Sequence, residues 1–269
     1  MITNELKERL ITLANTYENE DYFANDPVNF AHAYVDKVDQ EIVGFISSWM
    51  AYDNRTQIVR TTRKLLEEIS QVSSYDPCMF ITERQWVDMP HAKDEVLYRF
   101  YTYGDFYNLC EALYKIYDKH LTMEEAVLAS HDKLPPCLRV PATEWVRAVI
   151  SLFPNVKGVP QDTKSACKRV CLFLRWMVRC PSPVDLGIWA HVPKRSLLIP
   201  LDTHVNRMAR QLGLLQATKG ANMKAVLELT ANCRQIFPDD PTRADYALFG
   251  YGITHKNYED TKKITEKAI

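Results

Sequence analysis

The chain has 269 residues, 46% of them hydrophobic and 25% charged, and its 33 Lys and Arg nearly balance 34 Asp and Glu. A chain of that length can bury a substantial core as one large domain or two lobes. It has no apolar run of bilayer-spanning length and no C-x-x-C pair among its seven cysteines, which argues against a membrane protein and a zinc or thioredoxin-type site.

The opening "MITNELKERL" is charged and lacks the apolar core of a secretory signal, so a cytoplasmic protein with reduced thiols is expected. In "DQEIVGFISSWMAY", Ile42, Phe45, Ile46, Trp49 and Met50 recur at helical spacing as one buried stripe. Ile58, Leu65, Leu66 and Ile69 continue the pattern in "TQIVRTTRKLLEEI". "FYNLCEALYKIYDKH" and "TMEEAVLASHDK" read as further helices, the second opening on a Thr122 and Glu125 capping box. Thr143 is the expected cap of "TEWVRAVISLF". Residues 164–179 read as a helix, as does "LDTHVNRMARQLGL", with Val205, Met208, Ala209 and Leu212 as its core face and Gly213 as its stop. "NMKAVLELTANCRQI" and "RADYALFGYGI" complete the set. No two-residue alternation is sustained and no Asn-Gly turn occurs, so the fold class expected is all-α. Prolines at 135, 136, 141, 154, 160, 181, 183, 193 and 200 mark loops around the two helices in the middle of the chain.

The near-neutral total conceals an asymmetry. Between Lys157 and Arg210 ten Lys and Arg face three acids, a net of +7, while the remaining 23 basic and 31 acidic side chains give −8. One basic face in an otherwise acidic protein suits an anionic partner, although runs of charge also serve simply as solvated surface.

If 164–179 is one helix, Lys164, Lys168, Arg175 and Arg179 fall within roughly 60° of one another. Like charges so spaced repel by a few tenths of a kcal/mol per pair, and no acid occurs from 163 to 184. The stripe is either an ordinary solvated face or a functional one. Asp202 stands where a helix N-cap is expected. Capping and chemistry are compatible, because a carboxylate held at a helix N-terminus stays ionised and keeps one orientation.

"IPLDTHVNRMARQLGL" resembles the segment of helix–hairpin–helix DNA glycosylases, the superfamily of endonuclease III and 8-oxoguanine glycosylase, that carries the catalytic Asp in "VDTH" or "VDVH". "SWMAYDNRTQIVRTTRKL" resembles the early helix that presents an Asn or Gln to DNA, with Asn54 in that position. "ADYALFGYGITH" resembles the late helix that precedes the iron–sulfur cysteines of endonuclease III. No cysteine follows Cys233, so neither an iron–sulfur cluster nor another cofactor or metal is expected. Nearly the whole chain resembles a bacterial family with an "LFLRWMVR" and "IPLDTHV" signature, distantly similar to the archaeal 8-oxoguanine glycosylases. Laid on their "KTVVFAVKM", "KRVCLFLRWM" puts Lys168 at the nucleophile and Arg175 at the second basic position. Lys164 is the rival, since "KSAC" also lies on the "KTAN" of endonuclease III. "FPNVKGVPQDT" stands in place of the "LPGVG" hairpin.

The resemblance implies a helix–hairpin–helix fold of two helical lobes with a cleft between them. The lobe bearing the Lys helix and Asp202 would run over about 140–235; the other would take 1–139 and the C-terminal helix 240–269. It further implies a DNA repair glycosylase with AP-lyase activity acting on an oxidised purine such as 8-oxoguanine in double-stranded DNA. Lys168 would be the nucleophile and Asp202 the carboxylate that stabilises the developing cation and can activate the incoming amine. A free lysine titrates near 10.4, so a lysine nucleophile has to be made neutral; burial and cationic neighbours such as Arg169 and Arg175 act in that direction. Lys164, Arg179, Lys194, Arg195 and Arg207 are then candidates to meet phosphates. Trp189 would stack on the flipped base, plug the gap or sit in the core. Asn54 would fill the gap in the duplex or cap a helix, and His204 would orient Asp202, contact phosphate or lie on the surface. Two other readings stay open: a non-catalytic DNA- or RNA-binding protein of the same fold, and a helical protein-interaction scaffold.

Overall fold

The computed structural model describes residues 2–24, 26–52, 54–130, 141–216 and 220–254; Cys137, the prolines at 135 and 136, the end of "TMEEAVLASHDK" and the chain after Thr254 lie outside the described residues. In chain order its helices are α1 (Asn4–Tyr17), α2 (Glu20–Phe23), α3 (Asn29–His32), α4 (Lys37–Met50), α5 (Arg55–Ser73), α6 (Pro77–Thr82) and α7 (Tyr103–Tyr117). They continue as α8 (Met123–Ala129), α9 (Ala142–Ser151), α10 (Lys168–Val178), α11 (Thr203–Gln211), α12 (Met223–Arg234) and α13 (Arg243–Thr254). Among the described residues the strands are one antiparallel pair, β1 (Val96–Tyr98) and β2 (Tyr101–Thr102). The all-α class holds.

The chain divides into two compact units. One comprises residues 24–162 with 188–191. The other, the terminal unit, comprises residues 1–23, 163–187 and the chain from 192 onward. This differs from the expected division: α13 belongs with the Lys helix and Asp202, as do the first 23 residues, while α9 and the 153–162 segment do not.

In the 24–162 unit, α4 is buried along its length from Glu41 to Met50, so the expected stripe is only part of its buried surface. Asp36 caps it by accepting from the Val38 N–H at 2.8 Å. Phe45 stacks on Phe153 at 4.0 Å, and Trp49 lies on Tyr101 while its indole N–H donates to the Lys157 carbonyl at 2.8 Å. Gly158 permits this approach: its φ is +87°, and a Cβ there would stand 2.0 Å from the Tyr101 hydroxyl. On α5, Ile58, Leu65, Leu66 and Ile69 are all buried, as the spacing predicts. The Thr122 cap is half as expected. Its hydroxyl accepts from the Glu125 N–H, but the Glu125 carboxylate takes the Leu121 N–H in place of the N–H of Thr122. Thr143 is not a cap, because α9 begins one residue before it, after Pro141, whose fixed φ already suits a helix entry.

In the terminal unit, α13 packs against α1 and α11. Gly250 allows the first approach, since a Cβ there would meet the Tyr17 side chain at 2.4 Å, and the Tyr17 and Thr254 hydroxyls are 3.0 Å apart. The helix expected over 164–179 starts only at Lys168. Cys167 takes a left-handed conformation (φ 47°), and the residues before it run extended beside the start of α12, pairing Ser165 with Asn222. The carbonyl of Lys164 accepts from the Met223 N–H at 3.2 Å.

Candidate functional site

Two buried arginines organise the terminal unit. Arg175, on α10, and Arg179, the residue that follows its last turn, are 3% and 1% exposed. A guanidinium keeps its charge at all ordinary pH values, so its burial requires acceptors on every side. Arg175 donates through Nε to Asp185 at 3.2 Å and through Nη1 to Asp245 Oδ2. Arg179 donates through Nε to both oxygens of Asp240 at 3.1 and 2.9 Å, through Nη1 to Asp185 at 2.5 Å and through Nη2 to Glu18 at 2.7 Å. Tyr246 donates its hydroxyl to Asp185 at 2.6 Å and presents its ring to both guanidinium carbons, 4.6 and 5.0 Å from its centre. Arg243 completes the network on Glu18 at 2.8 Å.

The basic stripe of the sequence is therefore not a stripe. Lys164 is exposed but lies outside the helix, Lys168 is partly exposed as its first residue, and Arg175 and Arg179 point into the core. Arg179 is withdrawn as a phosphate contact and Arg175 as a second basic group facing a substrate. The acids that neutralise them, Glu18, Asp185, Asp240 and Asp245, all lie outside the acid-free window 163–184.

Lys168 and Asp202 nevertheless lie in one unit. Asp245 is the third residue of α13 and is 5% exposed. Burial pushes its carboxyl up to about 7; Arg175 pulls against that, Asp202 and Asp185 add to it, and Lys168 opposes it. Lys168 and Asp202 thus both lie within electrostatic reach of Asp245. Its Oδ1 is buried with no hydrogen-bond partner. Asp202 is the N-cap of α11, with extended backbone and Oδ1 accepting from the Val205 N–H at 2.7 Å. Asp245 had no assigned role in the sequence; the signal for it was an acid inside the otherwise apolar "ADYALFGYG".

Other candidates divide by burial. Trp189 is 1% exposed, and its indole N–H donates to Glu41 at 2.6 Å. Glu41, itself fully buried, also accepts from the Met123 and Glu124 N–H groups at the start of α8 and from the Tyr117 hydroxyl. Trp189 is accordingly a core residue and is withdrawn as a base-stacking group. Asn54 is exposed and caps α5, accepting from the N–H groups of Thr56 and Gln57 at 3.0 and 3.3 Å. His204 packs edge-on to Phe249, and Arg207 donates to the Gly252 carbonyl, so both help hold α11 against α13. Lys194 donates to the Cys180 carbonyl at 3.0 Å, and Arg195 is exposed. Among the described residues no group of His, Cys, Asp and Glu is arranged to hold a metal ion, and no helix is long and apolar enough to cross a membrane.

Residues 26–254 match the domain family DUF2400, described as a protein of unknown function, and the chain belongs to that family. No curated protein and no solved structure gives a significant match. The matched span contains Lys168, Asp202 and Asp245 together with both buried arginines.

Proposed function

We propose that this member of the family is a DNA glycosylase with AP-lyase activity, of the helix–hairpin–helix type, that removes an oxidised purine such as 8-oxoguanine from duplex DNA. The observation that carries the reading is that α10, which opens on Lys168, and α11, which Asp202 caps, belong to one compact unit. A nucleophilic amine and a carboxylate fixed by its helix are the two groups this chemistry needs.

In the proposed reaction the damaged nucleotide leaves the stack, at a cost of a few kcal/mol that damage reduces. The amine of Lys168 forms a bond to C1′ as the bond from C1′ to the base nitrogen breaks, and the base leaves with the electron pair and takes up a proton. The Asp202 carboxylate stabilises positive charge developing on the sugar. Opening of the sugar ring gives an imine between Lys168 and C1′. Loss of a C2′ proton then expels the 3′ phosphate. Lys164, Lys194 and Arg195 remain as phosphate contacts, joined by the partly exposed Arg169. Four such contacts give a log–log salt slope of about −3.6 for duplex binding.

The test is borohydride trapping on duplexes carrying 8-oxoguanine or an abasic site, with Lys168→Gln, Lys164→Gln and Asp202→Asn. A covalent adduct lost with Lys168→Gln and kept with Lys164→Gln supports the assignment; the reverse moves the nucleophile to Lys164. Duplex binding with neither adduct nor base release would mean a non-catalytic nucleic-acid-binding protein.

A further inference from the structure

In the 24–162 unit, strands β1 and β2 are joined by just two residues, Arg99 and Phe100, since Tyr98 pairs with Tyr101. So tight a turn usually carries Asn or Gly, which tolerate a left-handed backbone. Here Arg99 takes that conformation (φ 56°), and Phe100 beside it is 44% exposed. The Phe100 ring stands edge to face with that of Tyr52, 5.0 Å between centres, and Tyr52 is 47% exposed. Single apolar side chains at a surface are commonplace, but two rings that meet there form a patch.

Both rings are held from below. The Tyr98 hydroxyl donates to the Tyr52 carbonyl at 2.7 Å. Lys157 donates to the Phe100 carbonyl and, at 2.8 Å, to Asp105; its ammonium lies 5.8 Å from the centre of the Phe100 ring. Tyr101, the next residue, packs on Trp49 in the core with ring centres 4.0 Å apart. Rings fixed in this way have little freedom left to lose when a ligand stacks on them.

Beyond the rings the surface turns cationic. Arg99 donates to Gln57 Oε1 at 3.3 Å. Gln57, Arg60 and Lys64 stand at i, i+3 and i+7 on one exposed face of α5. Arg63 borders that face, its guanidinium carbon 5.4 Å from the centre of the Phe30 ring. Lys64 lies 3.4 Å from Glu68, whereas Arg60 and Arg63 meet no acid among the described residues. The unit as a whole has fourteen Lys and Arg against twenty Asp and Glu, a net of −6. Residues 54–66 nonetheless hold four of those cations and no acid.

We infer that this surface binds single-stranded nucleic acid, with an unpaired base stacked on Phe100 or Tyr52 and backbone phosphates on Arg99, Arg60 and Arg63. Every base has a planar face that stacks on an aromatic ring whatever the sequence, and guanidiniums meet the phosphates. A base inside a duplex keeps its faces covered by its neighbours, so exposed rings favour unpaired strand. An apolar protein surface or a lipid chain would instead strip water from Arg99, Lys157 and Gln57 around the rings, without hydrogen bonds in return. The surface shares no residue with the Lys168 and Asp202 site, and the inference holds whether or not the chain excises bases.

The experiment is fluorescence anisotropy of a labelled oligothymidylate of about 15 nucleotides with the full chain, from about 50 to 200 mM salt, beside a blunt duplex of equal length. About three phosphate contacts predict a log–log salt slope near −2 for the strand. Phe100→Ala should weaken strand binding by at least about fivefold while duplex binding stays within about twofold, and Phe100→Trp should restore it. Arg60→Gln should lower the slope by about 0.7. Wild type that does not bind the strand at the lowest salt overturns the inference, as does strand binding unchanged in both Phe100→Ala and Arg60→Gln. Duplex binding that falls as far as strand binding in Phe100→Ala overturns the choice of unpaired strand. Should Phe100→Ala fail to fold, Arg60→Gln decides, because Arg60 is exposed and its loss removes no contact from the core.

Discussion

Replacing Arg179 with methionine separates a core role from a surface one. The change keeps most of the volume and removes a guanidinium that now serves Asp240, Asp185 and Glu18. Those carboxylates are 15%, 0% and 7% exposed at their side chains, so water cannot take over as partner for all three. Breaking a buried ion pair from one side costs about 3–5 kcal/mol, far more than the net worth of an intact pair. At about 2–4 °C per kcal/mol for a chain of this size, the thermal midpoint should fall by roughly 10 °C. Arg179→Lys should fall between, since one ammonium cannot reproduce the fork that reaches three carboxylates. Circular dichroism melts at fixed protein concentration measure this directly. A midpoint within about 2 °C of wild type, with duplex binding weakened, would refute the buried network and return Arg179 to a DNA-facing surface.

The same geometry fixes three further outcomes. Asp245 has its carboxyl raised from 3.8 to about 7, so the folded state binds the extra proton between those values and the stability this group contributes falls as pH rises. Urea unfolding from pH 4.5 to 8 should show wild type losing up to about 1 kcal/mol per pH unit relative to Asp245→Asn over that window; parallel curves would show that Asp245 titrates normally. Asp202→Asn keeps a good N-cap, so stability should stay within about 0.5 kcal/mol while base excision drops, whereas Asp202→Ala should lose about 1 kcal/mol as well. Full excision by Asp202→Asn would reduce Asp202 to a cap. Trp189→Phe removes the 2.6 Å donor to buried Glu41 and should cost about 1–3 kcal/mol without changing adduct yield per folded molecule; unchanged stability with lower affinity for damaged duplex would restore a stacking role.

What could be read in the chain and what could not follows from the range of the interactions involved. The stripes on α4 and α5 were legible because their period lies within one helix, and the cap at Asp202 because it needs only the next three residues. The fate of Arg175 and Arg179 was not, because three of their acceptors, Asp240, Asp245 and Glu18, lie 61, 70 and 161 positions away. A charge count over a window of sequence registers the cations and misses carboxylates that folding brings from outside it. One local signal was nonetheless present in "LFLRWMVR". Leu174, Trp176, Met177 and Val178 flank the two arginines on every side, and a helix apolar all round is a buried helix, so charges within it must be paired. The same rule applies to "ADYALFGYG": an acid in a helix with no polar face has to meet a cation from elsewhere, and the buried cations available were already visible in "LFLRWMVR". Pairing those two misfits from sequence alone would have joined Arg175 of α10 to Asp245 of α13. The start of α10 gave no such sign. Nothing in "KSACKRV" marks Cys167 as left-handed, a conformation usually reserved for glycine or asparagine; it follows two residues after the pairing of Ser165 with Asn222. That turn separates Lys164 from the helix and leaves Lys168 as its first residue.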